Sequence, residues 1–204
     1  DPDRCRRAAK EDVVLGVGRI WDPGENLVAL DAVAPRLPWP VALVGSDVSP
    51  EGARPTLRSV TRLGALSRED LGDRLARAAI FALPARDETV GLSITEAALS
   101  GCALVLGDTK SLRELWGGAA LFVDPSDPAD LERALLGLIF NAGVRASLSA
   151  LARARAHACS PDRMARAHLG LYEEVLGQPA RPAPIPPTLR PPRPGGPSQA
   201  TPRS

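Results

Sequence analysis

Short, unbroken apolar runs alternate along this chain with amphipathic stretches, and that alternation constrains the fold more than any other feature. Val13–Val17, Val41–Val44, Ala79–Leu83, Ala103–Leu106 and Ala119–Val123 each read as a buried strand, and a further strand is expected to include Val60, ahead of Gly64. A strand apolar on both faces belongs in a sheet covered on both sides, which is the habit of parallel sheets. The stretches between them open on helix-start signals. Ser67 and Asp70 form an S-x-x-D cap, followed by Leu71, Leu75 and Ala78 at helical spacing, while Ser111 and Glu114 form a capping box. Asp127 precedes Pro128 and Ser160 precedes Pro161, each pair an N-cap with proline at the first helical position. The repeated strand–helix alternation predicts a doubly wound α/β domain, a parallel sheet with helices on both faces. Aromatic residues are only 3% of the chain, so its core must be built from Leu, Val, Ile and Ala.

The pattern stops at Leu176. Residues 177–204 hold ten of the chain's 21 prolines, four arginines and no acid. Such a stretch has too little apolar surface to form a core and is expected as a disordered, partly polyproline II tail. Arg181, Pro184 and Pro187 match an R-x-x-P-x-x-P ligand pattern, which low-complexity drift explains more simply. Residues 1–12 are polar, which leaves 13–176 for the folded domain. The start lacks methionine, as expected of a piece cut or processed from a longer protein.

A formal net charge of +1 supplies no general attraction to nucleic acid or acidic membranes. No apolar run approaches the roughly 20 residues that span a bilayer, and the polar start carries no signal-peptide pattern. Cys5, Cys102 and Cys159 are widely spaced and form no CxxC pair, which suits neither a zinc site nor a disulfide framework. Cys102 sits in a small-residue turn before an apolar run and reads as a buried thiol. A reducing, cytoplasmic setting is the expectation. His157 and His168, with Arg153, Arg155, Arg163 and Arg166, read as a solvated basic face.

Chemistry concentrates between Pro84 and Gly107. A strand ends at Leu83, a polar loop follows, Gly91 relaxes the backbone, and a helix opens near Leu92. Ligands of α/β sheets gather beyond the carboxyl ends of the strands, and a helix start offers unpaired amides and a positive dipole end to a phosphate. Glu88 lies just before that start and Glu96 about a turn inside it, so a ligand lying across it would meet a carboxylate at each end. Carboxylates accept hydrogen bonds from sugar hydroxyls; they also stabilise a helix start by a few tenths of a kcal/mol. The spacing supports both readings equally.

Glu88 and Glu96 are separated by seven residues, with Gly91 and Leu92 between them. This resembles the E-x7-E element of retaining glycosyltransferases with the GT-B fold, in the large bacterial family of group 1 glycosyl transferases. SGCALVLGD and RELWGGAALFVDPSDPADL resemble that family's downstream region, and GVGRIWDPGENLVALD its phosphate-loop region. The similarity runs from about Val13 to Leu176. It implies a Rossmann-like donor domain, half of a GT-B fold, that holds a nucleoside diphosphate sugar without metal or cofactor. By the resemblance, Glu88 meets donor-sugar hydroxyls and is the catalytic candidate, while Glu96 binds the ribose. The amides of Gly91, Leu92 and Ser93 face the diphosphate, and Arg19, after Gly18, neutralises phosphate charge. The acceptor, a saccharide or lipid-linked glycan, belongs to an N-terminal domain for which this chain has no room.

Two departures stand out. The family's usual lysine after the arginine is replaced by Glu25, a like charge beside a diphosphate, with Arg86 and Lys110 as candidate compensators. Val90 stands where Phe is common. A degenerate, non-catalytic nucleotide-binding module and another GT-B enzyme, such as an epimerase or phosphorylase, are the alternatives. Gly16-x-Gly18 lacks the third glycine of a dinucleotide fingerprint, since Trp21 stands there, and Ser93 is not in a G-x-S-x-G elbow.

Overall fold

The computed structural model describes residues 9–88, 91–158 and 161–177. The chain divides into two compact units, Asp1–Ser160 and Pro161–Ser204. The first contains six parallel strands: β1 (Glu11–Val17), β2 (Val41–Val44), β3 (Thr61–Arg62), β4 (Ala78–Leu83), β5 (Ala103–Gly107) and β6 (Leu121–Val123). Their order across the sheet is β3-β2-β1-β4-β5-β6. Every residue of β4 and β5 is buried, as unbroken apolar runs in a doubly covered sheet require. The expected strand at Val60 begins one residue later. Ala119 and Ala120, read as strand, instead form a buried turn in which Ala119 N–H donates to the Trp116 carbonyl.

Among the described residues six α-helices belong to this unit: α1 (Val28–Val33), α2 (Arg68–Arg77), α3 (Leu92–Leu99), α4 (Lys110–Trp116), α5 (Pro128–Phe140) and α6 (Ala142–Ala158). The step from β1 to β2 and the step from β4 to β5 run in opposite directions across the sheet. Right-handed crossovers therefore place α1 and α3 on opposite faces. In agreement, α1 packs on α5, and α3 packs on α2 and α6. Ser67 caps α2 by accepting from Asp70 N–H, and Asp127 caps α5 by accepting from Ala129 N–H, both as expected. Ala78 is not part of α2; it opens β4. The Ser111–Glu114 box does not form. Thr109 caps α4 instead, accepting from Leu112 N–H, and the Ser111 hydroxyl is directed to the Glu88 carbonyl at 2.5 Å. Arg155 is not simply solvated, for its guanidinium donates to the Leu115 and Gly117 carbonyls and so closes the C-terminus of α4.

In the second unit, α7 (Pro161–Leu176) starts at the expected proline and exposes Leu171, Tyr172, Val175 and Leu176. Cys5, Cys159, Ser160, Arg181 and residues 178–204 of the expected tail lie outside the described residues. His157 and His168 are exposed. Among the described residues no single helix is long and apolar enough to cross a membrane.

Cys102 is fully buried where the strands begin, its thiol donating toward the Leu75 and Ala78 carbonyls, each at 3.2 Å. Lys10 Nζ donates to the Ala78 and Ser100 carbonyls at 2.8 and 2.9 Å and lies 3.7 Å from the sulfur. Burial pushes the Cys102 thiol up to about 11, with Lys10 opposing, while desolvation lowers the pKa of Lys10 itself. A raised thiol pKa favours the fold fully below the unfolded value, and that contribution is lost as pH rises from about 9 through about 11. Stability should therefore fall by on the order of 2 kcal/mol over that window, partly offset by Lys10, whose shift has the reverse sign. Urea titrations at several pH values, compared with Cys102→Ala, should show the alkaline slope flatten in the variant.

Candidate functional site

The strand order reverses direction between β1 and β4, which opens a crevice beyond their carboxyl ends between the two loops that follow them. The β1–α1 loop carries Gly18, Arg19, Asp22, Glu25 and Asn26. The β4–α3 loop carries Arg86, Asp87, Glu88 and Gly91. The fold thus brings together the two sequence regions singled out for chemistry, although they are distant in the chain.

Backbone and side-chain bonds join the loops. The Gly24 carbonyl accepts from Arg86 N–H at 2.8 Å and Asp87 N–H at 3.2 Å. Asn26 is the deeper link. Its amide nitrogen, on a residue only 5% exposed, donates to the carbonyls of Pro84 and Pro125, both at 2.9 Å. One side chain therefore ties the loops after β1, β4 and β6. Its backbone is left-handed, with φ at 55°, a conformation asparagine tolerates better than most residues. Nothing in the local sequence marks Asn26 for this role, since both partners are remote in the chain.

Gly91 is the N-cap of α3 in the left-handed region, φ 64° and ψ 67°. A side chain there would also strike Ile94, its Cβ falling 2.4 Å from Cδ1. Glu88 reaches forward to this start and accepts from Gly91 N–H through Oε1 at 2.9 Å. The carboxylate thus already performs the helix-stabilising role, and it holds one of the amides that the sequence assigns to a ligand. Leu92 and Ser93 follow in the first turn of α3, whose amides have no partner within the helix. Leu92 is 75% exposed, unusual for leucine. Ser93 and Glu96 are half-buried. Val90, the second departure, lies outside the described residues.

Arg19, the cation expected to meet phosphate, is ion-paired within its own loop. Its Nε donates to Glu25 Oε1 at 2.7 Å, its backbone N–H to Glu25 Oε2 at 2.8 Å, and its Nη2 lies 2.8 Å from Asp22 Oδ2. The hydrogen bond to Glu25 first, then the charge of that carboxylate, hold the Arg19 pKa above its ordinary value; Asp22 and Glu88 add to the effect. Glu25 itself is buried, at 8% exposure. It does more than repel from a distance: it sits against the guanidinium expected to neutralise a phosphate. Of the suggested compensators, Arg86 donates to the Ser126 hydroxyl at 3.0 Å, and Lys110 is exposed at the start of α4.

Residues 11–141 match the model of a family described as glycosyl transferases group 1. A D-inositol 3-phosphate glycosyltransferase of a Nocardioides species is 32% identical over 145 residues, 69% of this chain and 31% of that protein. Sucrose-phosphate synthase from Thermosynechococcus elongatus has a similar structure at a TM-score of 0.71 and 22% identity, covering 83% of this chain and 47% of that one. Anabaena HepE, solved in complex with UDP-glucose, gives 0.62 at 20% identity, with 72% and 44% covered. The C-terminal domain of LpcC, a group 1 family protein from Francisella tularensis, gives 0.62 at 13% identity, with 78% and 97% covered. The chain therefore spans about a third of the curated relative's length and about half that of the first two solved structures. At these identities the solved structures establish a shared fold.

Proposed function

This chain belongs to the glycosyl transferases group 1 family and has the fold of a GT-B glycosyltransferase C-terminal domain, and from that premise we propose that it holds the nucleoside diphosphate sugar during glycosyl transfer. The observation that carries the reading is the reversal of strand order between β1 and β4, where ligands of open α/β sheets bind, with α3 starting from the β4 loop there. In the crevice the Leu92 and Ser93 amides face the diphosphate and the dipole of α3 favours its charge. Glu96 accepts from the ribose hydroxyls and Glu88 from the donor sugar, in a transfer that retains configuration through an oxocarbenium-like transition state. No metal or cofactor enters this reading. The acceptor, a saccharide or lipid-linked glycan, binds outside residues 11–141. HepE, with UDP-glucose in its structure, supplies the first ligand to try.

Titration of the labelled chain with UDP and UDP-glucose should move the amide resonances of residues 91–96 in the high-micromolar to millimolar range. Glu96→Ala should weaken UDP binding about tenfold, as expected for a lost hydrogen bond to a charged acceptor, on the order of 1.5 kcal/mol. Silence at residues 91–96 with ligand at several millimolar counts against the proposal.

A second reading, a nucleotide-binding module without turnover, is favoured by one observation, the Glu25 carboxylate on Arg19. Release of UDP from UDP-glucose above the uncatalysed rate supports the transferase. Transfer to an acceptor by residues 1–204 alone is not expected, because rate enhancement rests on holding both partners in reacting geometry, worth roughly 7–11 kcal/mol at best.

A further inference from the structure

We propose that Glu25 is an internal counter-anion that fills the phosphate seat of the β1–α1 loop, so that an anionic ligand enters this seat only by displacing the carboxylate. The inference rests on the donor-binding reading and concerns what the loop does before a ligand arrives. A backbone N–H and a guanidinium converging at the end of a strand form an ordinary anion seat. In this chain both converge on one carboxylate, with Oε2 at 2.8 Å from Arg19 N and Oε1 at 2.7 Å from Arg19 Nε. The space is made by Gly18, since a Cβ there would fall 1.7 Å from Glu25 Oε2. Asp22 takes another nitrogen of the same guanidinium at 2.8 Å and accepts from Gly24 N–H through its other oxygen. Between Gly18 and Asn26 one cation thus faces two carboxylates, and the loop carries a net negative charge. The pair is also asymmetric. Glu25 has a side chain 10% exposed while that of Arg19 is 60% exposed, so the anion is the anchored partner and the cation is the one that solvent and ligands reach.

The loop is therefore neither an empty seat nor a cation waiting for phosphate. A diphosphate must compete with a tethered carboxylate for the same donors, which lowers affinity for charged ligands and leaves the uncharged part of a ligand unaffected.

The test uses the full chain with inorganic pyrophosphate, UDP and uridine as probes, followed by amide and arginine Nε–H resonances. Glu25→Gln keeps an oxygen for the Arg19 amide but removes the charge. It should bind pyrophosphate and UDP at least about tenfold more tightly, with uridine unchanged, and the Gly18 and Arg19 resonances should respond. In the unmodified chain, saturating pyrophosphate should shift the Arg19 Nε–H and the Glu25 carboxyl carbon together as the pair opens, a readout that needs no variant. Equal pyrophosphate affinity in the two proteins overturns the proposal, as do anion responses that bypass Arg19 or no response to pyrophosphate at all. Glu25 is then only a loop staple. Failure of the donor-binding reading looks different: UDP moves residues 91–96 in neither protein, while pyrophosphate at Arg19 still decides the role of Glu25.

Discussion

Gly107→Ala should destabilise the protein by at least about 3 kcal/mol, through overpacking that no rotamer can relieve. The new Cβ would lie 1.9 Å from the Ala85 carbonyl oxygen and 2.9 Å from that residue's backbone nitrogen and carbon. Gly107 ends β5, paired with Val123 on one side, and Ala85 follows β4 on the other. Relief requires the backbone after β4 to retreat, and that backbone carries Glu88. A loss of this size should lower the melting temperature by roughly 6–12 °C. Gly137→Ala is the control: nothing lies within 4 Å of a Cβ there, and alanine in α5 should stabilise by up to about 1 kcal/mol. A Gly107→Ala protein that melts with the parent would refute the close approach of β5 to the loop after β4.

Asn26→Ala should cost about 3–4 kcal/mol and abolish detectable nucleotide binding. The buried carbonyl of Pro84 and the part-buried one of Pro125 lose their side-chain donor; a buried orphaned group costs about 1–3 kcal/mol, and the second, reachable by water, about 1 kcal/mol or less. Alanine must also take up the left-handed backbone at φ 55°, a penalty of roughly 1 kcal/mol. Asn26→Gly removes that backbone penalty but not the lost bonds, so it should recover about 1 kcal/mol and no binding. Asn26→Asp keeps the shape but places acceptor against acceptor, and should be no better than alanine. Urea unfolding and UDP titration of the three variants check the order. If Asn26→Gly binds UDP like the parent, the three loops hold their positions without this link.

The strands were legible because burial on both faces leaves an unbroken apolar run, as at Val41–Val44 and Ala79–Leu83. Caps made by a single side chain onto the next turn, Ser67 and Asp127, were legible for the same reason: cause and effect lie within a few residues. The failures have a common physical origin. Ser111 and Glu114 have the spacing of a box, but the Ser111 hydroxyl is claimed by the Glu88 carbonyl, far back in the chain. Thr109 caps α4 in its place. Arg155 reads as solvated until the end of α4 is brought beside it. In the crevice, the charges of Arg19 and Glu25 were legible, and so was the opposition of Glu25 to an anionic ligand. Their direct union was not, because it depends on how the loop folds over the space left at Gly18. Asn26 gave no signal at all, its two acceptors being contributed by other strands' loops.

The order of strands also sets a timetable. β1 is synthesised before the other five strands of the sheet and lies mid-sheet, where Leu15 pairs with Ala42 on one side and Phe81 on the other. The first partner emerges from the ribosome soon after, the second much later, and chains generally begin to fold as they are made. Until β4 appears, one edge of β1 has no hydrogen-bonding partner, and such pairings between distant segments are the slow ones. The crevice lies at that seam. A nascent chain therefore has no ligand site until β4 has joined, and conditions that slow this closure expose an apolar strand edge rather than merely delay activity.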